Sequence, residues 1–264
     1  MNILDKIIAR KKDEVAAAKR QVSIQMLEKE KFFSARTHSL KQSLLDQVKT
    51  GIIAEFKRKS PSKGVINASA SVEKVTSSYN SYGASAISVL TDEQFFGGSL
   101  NDLVAATIND IPLLRKDFMI DEYQLVEAKA YGASVILLIA ACLNPTEVRQ
   151  LAATAKSLGL EVLLEIHNDV ELGHICDEVD LVGVNNRNLK TFEVSINTSL
   201  ALINKIPKDK PAIAESGISN VETIVTLRNS GFKGFLIGEN FMKQADPSIA
   251  FADFVNQLKA RPDA

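Results

Sequence analysis

The chain has 264 residues, 45% of them apolar and 24% charged, a balance typical of globular proteins with a sizeable core. The formal net charge is -1, so nothing in the overall charge favours nucleic acid or an anionic membrane as a partner. No apolar run approaches the ~20 residues of a membrane-spanning helix, and the N-terminus carries acidic residues that a secretory signal lacks. The sequence therefore predicts a cytoplasmic protein.

Residues 1–45 precede the first predicted strand. Apolar residues at positions 3, 4, 7, 8 and 15 form a helical stripe in "ILDKIIARKKDEVAAAKR", and a second short helix is expected near 23–31. We expect this helical extension to pack on the rest of the chain as a lid or plug. Residues 1–264 are thus predicted to form a single domain.

The apolar run 51–56 continues directly into a dense group of charges, in "GIIAEFKRKSPSKG". Glu55 and Lys57 have the same parity, so both should point to one face of the strand while Phe56 points to the other. A sheet does not need such charges for stability, whereas a site at the end of the strand does. Lys57 and the basic residues within 58–63 are expected to contact a phosphate or carboxylate.

A repeated pattern of helix end, glycine and buried strand predicts the fold. It is clearest in "YGASAISVL" at 82–90 and "YGASVILLI" at 131–139, where the glycine suits a left-handed helix cap. Helix signals separate eight apolar runs, at 51–56, 86–90, 111–115, 134–140, 161–166, 180–185, 211–215 and 234–238. Strands that are apolar on both faces and alternate with helices predict a parallel sheet, and eight such units match a (β/α)8 TIM barrel. A doubly wound open sheet is the alternative, but charges replace the glycine fingerprint that usually follows its first strand.

Polar residues close several of the later runs, as they close the first. The carboxyl ends of barrel strands form one rim, where active sites lie. Lysines crowded near other cations can have a lowered pKa, so Lys116 or Lys57 is expected to do acid chemistry near neutral pH. Glu165, in a desolvated barrel mouth, could act as a base or an acid. The strand-end residues that predict a shared active site are Glu55, Lys57, Lys116, Glu165, Asn185, Arg187 and Glu215.

A phosphate site is predicted at the last two strands. Ser216 and Gly217 follow the seventh run, and Gly238 ends the eighth. In TIM barrels these two loops bind phosphate through backbone N–H groups. The substrate is therefore expected to be a small phosphorylated acid.

Neither a metal nor a cofactor is predicted. None of His38, His167 and His174 shares a metal-ligand spacing with an acidic cluster, and His167 is expected to be structural or to lie behind the site. The chain has no dinucleotide-binding fingerprint and no Walker motif. Cys142 and Cys176 have apolar neighbours and no CxxC spacing, so they are expected to be free, buried thiols away from the rim.

Together these strand ends resemble the indole-3-glycerol phosphate synthase family of tryptophan biosynthesis. The matching phrases are "IIAEFKRKSPSKG", "FFGGS", "LLRKDFMIDEYQ", "LLEIHN", "GVNNRNL", "IAESGIS" and "IGENFM". The likeness covers essentially the whole chain, and each phrase occupies the right strand end in the right order. The chain ends in "KARPDA" with no second barrel, so we expect a monofunctional form, as a monomer or weak homo-oligomer.

The resemblance implies the substrate 1-(2-carboxyphenylamino)-1-deoxyribulose 5-phosphate, and ring closure, decarboxylation and dehydration without a cofactor. It makes Lys116 the general acid of ring closure and Glu165 the partner in dehydration, with Glu55 and Lys57 as the catalytic pair of strand one. Where some family members have Ser-Ser or Glu-Ser after the last glycine, this chain has Glu239-Asn240, so backbone contacts are expected there. The implied substrate-binding residues are Asn185, Arg187, Glu215, Ser60 and Phe96, and the phosphate-binding residues are Ser216, Gly217, Gly238, Glu239 and Asn240.

Three alternatives remain open. A phosphoribosylanthranilate isomerase would favour a Cys/Asp pair at strand ends where this chain has Glu55 and Glu165. A Schiff-base aldolase would use a barrel lysine, for which Lys116 is the candidate. A catalytically silent sugar-phosphate-binding barrel would bind substrate without turnover.

Overall fold

The computed structural model describes residues 3–189 and 191–261. Parallel strands form a closed barrel, in which each strand pairs with the next along the chain and the last pairs with the first. The prediction of a (β/α)8 barrel is confirmed, and the open-sheet alternative is wrong. The barrel strands are β1 Ile52–Phe56, β2 Ala86–Leu90, β3 Leu113–Lys116, β4 Val135–Ile139, β5 Glu161–Ile166, β6 Leu181–Asn185, β7 Ala212–Glu215 and β8 Gly234–Ile237.

Strand β3 departs most from its predicted bounds. It begins at Leu113 rather than at 111, because Pro112 has no amide hydrogen to donate to a neighbouring strand. Pro112 contacts the neighbouring strand through its carbonyl, which accepts a hydrogen bond from the amide of Ile87. The strand ends at Lys116, the strand-end residue predicted from the sequence.

Helices cover the outside of the barrel. Asn144 shows how one of them begins: its side chain accepts from the amide of Glu147, whose carboxylate reaches back to the amide of Asn144, a capping box. Gly83 and Gly132 have φ of 98° and 92°, as the repeated "YGAS" pattern predicts. The α-helices are α1 Ile3–Gln21, α2 Ile24–Leu27, α3 Leu40–Leu45, α4 Val72–Ser81, α5 Glu93–Phe96, α6 Leu100–Ala106, α7 Glu122–Ala130, α8 Pro145–Ser157, α9 Asn197–Leu202, α10 Val221–Ser230, α11 Glu239–Met242 and α12 Pro247–Lys259. Short 3-10 helices span Ala140–Cys142, Asp169–His174 and Ile203–Lys205, and a small antiparallel hairpin pairs Lys59–Ser60 with Gly64–Val65.

The N-terminal extension contacts both ends of the barrel. Leu40 and Leu44 of α3 are buried in the apolar cluster that fills the barrel interior. The amide of Leu40 donates to Glu161 at the start of β5, at 2.7 Å, so α3 closes the amino-terminal end as a plug. At the other end, Ile3 and Ile7 of α1 line the cavity described below. The extension is thus a plug at one end and part of the cavity wall at the other.

None of the helices within residues 3–189 and 191–261 is long and apolar enough to cross a membrane.

Candidate active site

The carboxyl ends of the barrel strands surround a cavity of about 520 Å³. Strand alternation explains why Glu55 and Lys57 face it: Phe56, between them, packs into the apolar layer between barrel and helices. Register then brings the other strand ends together, since Asn185 on β6 lies directly beside Glu215 on β7. The cavity is lined by all of the predicted site residues, namely Glu55, Lys57, Ser60, Phe96, Lys116, Glu165, Asn185, Arg187, Glu215, Ser216, Gly217, Gly238, Glu239 and Asn240.

Lys116 lies at the centre of a buried cluster of charges. Its Nζ donates to Glu165 Oε2 at 3.0 Å and to Glu215 Oε2 at 2.6 Å. Asn185 Nδ2 donates to the other oxygen of Glu165 at 3.2 Å. We call Lys116, Glu165 and Glu215 the cavity cluster. It holds two carboxylates and one ammonium group in a site largely removed from water.

The expectation that cations lower the pKa of Lys116 is wrong. Burial alone would lower this pKa, but the charges of Glu165, Glu215 and Glu55 outweigh burial and raise it well above its ordinary value. Lys116 therefore stays protonated near neutral pH and can donate a proton. A protonated amine is not a nucleophile, which argues against the Schiff-base alternative.

The two carboxylates of the cavity cluster differ in their ionisation. Burial raises both pKa values, but for Glu165 the charges of Lys116 and His167 reverse the effect and hold the pKa below its usual range. For Glu215, burial and the charge of Glu165 outweigh the attraction of Lys116 and raise the pKa to about 7. Glu215 Oε1 is buried with no hydrogen-bond partner among the described residues. Glu165 is thus the carboxylate that stays ionised.

Two glycines make room for the carboxylates. A Cβ at Gly183 would lie 2.2 Å from Glu215 Oε1, and a Cβ at Gly238 would lie 2.5 Å from Glu55 Oε1. Glu55 in turn accepts a hydrogen bond from Lys57 Nζ at 2.6 Å. Gly238 therefore positions a carboxylate, in addition to the phosphate contact predicted from the sequence. No role for Gly183 is predicted from the sequence, because a glycine within a strand is uninformative until its neighbour on the adjacent strand is known.

The predicted phosphate site includes Gly238 and therefore lies beside Glu55. Ser216 and Gly217 have φ of 66° and 75°, and such consecutive positive φ values turn the backbone sharply after β7. Glu239, at the start of α11, lies between two cations, 3.5 Å from a guanidinium nitrogen of Arg187 and 3.7 Å from Lys63 Nζ. Side chains of both signs thus surround the two glycine loops.

Apolar residues also line the cavity, and only Phe96 among them is predicted from the sequence. The rings of Phe96 and Phe118 lie 6.1 Å apart. The other apolar side chains of the lining were not predicted, because in a sequence they resemble ordinary core residues. The apolar lining includes Phe96, Phe118, Leu137, Ile139, Leu189 and Phe192.

His167 follows β5 directly and contacts Glu165, in agreement with the prediction that it is structural or lies behind the site. Cys142 and Cys176 are free thiols, but both are only partly buried. Cys142 lies in the turn just after β4, so the expectation that no cysteine is on the rim is wrong. In the described part of the chain, no group of three or more His, Cys, Asp or Glu residues could hold a metal ion.

Comparison with known proteins identifies the family. A family profile described as indole-3-glycerol phosphate synthase matches residues 4–254. The chain belongs to the indole-3-glycerol phosphate synthase family. An indole-3-glycerol phosphate synthase of Bacteroides thetaiotaomicron is 47% identical over 259 residues, which are 98% of this chain and 99% of the relative. One from a Polaromonas species is 43% identical over 256 residues, which are 95% of this chain and 97% of the relative.

Among solved structures, the synthase fold also resembles proteins of low sequence identity. The tryptophan synthase subunit alpha of Legionella pneumophila has a TM-score of 0.59 at 12% identity, over 83% of this chain and 95% of that one. The 3-hexulose-6-phosphate synthase of Salmonella typhimurium has a TM-score of 0.59 at 12% identity, over 78% and 99%. At such identities the likeness concerns the fold alone.

Proposed function

We propose that the cavity converts 1-(2-carboxyphenylamino)-1-deoxyribulose 5-phosphate into indole-3-glycerol phosphate, CO2 and water, the reaction of the family. One observation supports it most: a protonated lysine, Lys116, lies between two buried carboxylates, Glu165 and Glu215. Ring closure needs a proton donor beside an environment that stabilises positive charge on the substrate, and this cluster offers both.

The two ends of the cavity suggest how the substrate lies. We assign its phosphate to the loops of Ser216, Gly217 and Gly238, near the guanidinium group of Arg187. We assign the aromatic ring to the apolar wall around Phe96 and Phe118, where an apolar ring is removed from water. The ribulose carbonyl group then lies between the ends, beside Lys116.

In the first step, the ring carbon that bears the carboxylate attacks the ribulose carbonyl carbon. Lys116 Nζ gives its proton to the carbonyl oxygen, which becomes a hydroxyl group. The ring loses its aromaticity and its nitrogen becomes a cationic iminium. Glu55, Glu165 and Glu215 surround this positive charge in a largely water-free site, which lowers the energy of the intermediate.

Decarboxylation and dehydration then follow. The bond to the carboxylate breaks, CO2 leaves, and the electron pair returns to the ring as the iminium is neutralised. Glu165 takes a proton from the carbon between the nitrogen and the hydroxyl-bearing carbon, and a double bond forms as the hydroxyl group leaves as water. The water needs a second proton, which we assign to Lys57, 2.6 Å from Glu55 in the same cavity.

The absence of tryptophan from the sequence offers a direct test. We expect indole emission to rise when the substrate is added to the protein without metal or cofactor, at a rate proportional to protein concentration. Heat-denatured protein is the control. Binding of the substrate without a rise in emission would contradict the proposal and favour a silent sugar-phosphate-binding barrel.

We further infer that residues 1–264 act as one domain, as a cytoplasmic monomer or weak homo-oligomer. The extension 1–45 contributes Ile3, Leu4 and Ile7 to the cavity wall, so the extension and the barrel share one site. The two free thiols suit a reducing compartment. Sedimentation at assay concentrations should give a mass near 28.8 kDa, and a stable larger species would contradict this inference.

A further inference from the structure

His167 contacts Glu165 from behind, on the side away from the cavity. His167 Nε2 lies 3.3 Å from Glu165 Oε1, and the imidazole is 11% exposed. The ring does not line the cavity, so it touches the carboxylate without contacting the space that substrate would fill. Nε2 makes no hydrogen bond of good geometry within residues 3–189 and 191–261. Its contact with Glu165 is therefore one between charges.

Glu171 holds the other side of the imidazole. Its Oε2 lies 3.2 Å from His167 Nδ1 and accepts the backbone amide of His167 at 2.7 Å. Its Oε1 accepts from the side chain of Asn168 at 2.8 Å. The 3-10 helix Asp169–His174 fixes this arrangement, since Asn168 caps it and Glu171 lies within its first turn.

We propose that His167 is a positioning residue that holds Glu165 in place and keeps it negatively charged for its role as a proton acceptor. The inference rests on the proposed function, because it explains how Glu165 stays able to accept a proton. The order of contacts is Glu171, His167, Glu165 and Lys116. Glu165 therefore lies between two basic side chains, Lys116 and His167, whereas within residues 3–189 and 191–261 the basic side chain that contacts Glu215 is Lys116.

The charges around the imidazole support this role. Burial lowers the pKa of His167, but the contacts with the Glu165 and Glu171 carboxylates and their negative charges outweigh burial and raise it to about 10. Cys142, in the turn after β4, remains a neutral thiol, since burial and these two carboxylates raise its pKa to about 12. His174 faces Glu171 only through the backbone carbonyl of that residue, at 3.1 Å.

The groups that face Glu165 from the other strands determine what the loss of His167 would do. Lys116 on β3 is the remaining cation, and it is shared with Glu215 on β7. Asn185 on β6 donates a neutral hydrogen bond. Without the imidazolium, the burial of Glu165 and the nearby Glu215 charge are opposed by Lys116 alone, so the pKa of Glu165 should rise.

The first test compares the pH dependence of turnover in the wild type and in His167→Asn. We expect the acidic limb of kcat/KM to move up by about one to two pH units, because an opposite charge at this distance shifts a carboxyl pKa by that amount. We expect kcat at the optimum to fall by about ten-fold with little change in KM, since His167 does not contact the cavity. His174→Asn, at the end of the 3-10 helix that follows His167, is the matched control and should leave the limb where it is.

A second variant tests the order of contacts. Glu171→Gln removes one of the charges that keep His167 protonated, so it should move the limb in the same direction by a smaller amount. If Glu171 acts through His167, adding Glu171→Gln to His167→Asn should move the limb no further. A further shift of the same size in the double variant would overturn the order of contacts.

Spectroscopy of the wild type provides a readout that needs neither a variant nor turnover. Nuclear magnetic resonance of the three imidazoles should show one that stays protonated well above pH 7 and is lost in His167→Asn. Titration of the His167 imidazole at or below its usual pKa, or a His167→Asn variant with reduced rate but an unmoved limb, would overturn the positioning role. Wild-type protein that does not turn over the substrate would instead overturn the proposed function, while the imidazole titration would still be measured.

Discussion

Strand β3 supplies neighbouring residues to two buried ionic clusters on its two faces. Lys116 belongs to the cavity cluster, whereas Arg115 and Asp117 join Lys11 and Asp92 in what we call the backing cluster, between α1 and the barrel. Lys11 Nζ of α1 lies 2.9 Å from Asp117 Oδ1 and 3.0 Å from Asp92 Oδ2. Both clusters are buried and both pair basic side chains with carboxylates, yet they differ in which group is shared.

In the backing cluster one carboxylate is shared by two cations, whereas in the cavity cluster one cation is shared by two carboxylates. Asp117 lies between Lys11 and Arg115, which donates to it at 3.3 Å, and Arg115 also lies 2.8 Å from Glu127. In the cavity cluster, two carboxylates share Lys116 and one oxygen of Glu215 has no partner in the described part of the chain. A carboxylate held by two cations stays ionised, whereas two carboxylates that share one cation beside a cavity have their pKa values pushed apart, which suits them to proton transfer.

The largest expected effect comes from breaking the cavity cluster. Lys116→Met removes the proton donor of ring closure, so kcat/KM should fall by about 10³-fold in protein that remains folded at the assay temperature. Indole emission measures the rate, and thermal melting shows whether the protein is folded. Lys156→Met, on the surface beside Asp180, is the matched control and should retain wild-type rates. Near-full activity of Lys116→Met would remove this lysine from the mechanism.

Breaking the backing cluster should have the opposite profile. Lys11→Met leaves Asp92 and Asp117 buried without their ammonium partner, which should lower the free energy of unfolding by about 3–5 kcal/mol. The kcat of the folded protein should fall less than ten-fold, since Lys11 does not line the cavity. Denaturant titration measures the first quantity and indole emission the second.

Lys19→Met provides the control on the same helix. Lys19 pairs with Asp121 at 2.7 Å but is 47% exposed, so the same substitution should cost less than about 1 kcal/mol. Equal losses of stability in the two variants would mean that burial does not increase the contribution of Lys11 to the free energy of unfolding. A collapse of kcat in Lys11→Met without loss of stability would place the backing cluster in the chemistry instead.

The comparison also explains which features could be predicted from the sequence. Alternation along a strand is a local property, so the sequence alone is enough to place Glu55 and Lys57 on the face that lines the cavity. The pKa of Lys116 was predicted in the wrong direction, because Arg115 is its neighbour in the chain but points to the other face of β3. The charges that surround Lys116 come from β1, β5 and β7, and only the closed barrel brings them together.

Contacts between segments distant in the chain could not be predicted from the sequence for the same reason. In the sequence, Lys11 belongs to a run of charged residues that is typical of an exposed helix face. In the structure it is buried against Asp92 and Asp117. The role of Gly183 depends on Glu215, which lies on the next strand of the barrel. The family resemblance located the cavity residues, but resemblance by motif carries no information on which charges face each other.

A smaller expected effect, the dependence of stability on pH, distinguishes Glu215 from Glu165 in the cavity cluster. Glu215 has a pKa raised from 4.5 to about 7, so in the folded protein it keeps its proton over a range in which the unfolded chain has lost it. The wild type therefore loses stability as pH rises from about 4.5 to 7, and the loss is complete above that window. Glu215→Gln does not titrate, and at low pH it resembles the protonated wild type.

The melting temperature of Glu215→Gln, relative to the wild type, should therefore rise by several degrees between pH 4.5 and 7 and stay level above pH 7. Each kcal/mol corresponds to about 2–4 °C in a domain of this size. Glu222→Gln, at an exposed carboxylate on α10, should show no such rise. A difference independent of pH would mean that Glu215 is ionised throughout, and the charge of the cavity cluster would then be more negative than its contacts imply.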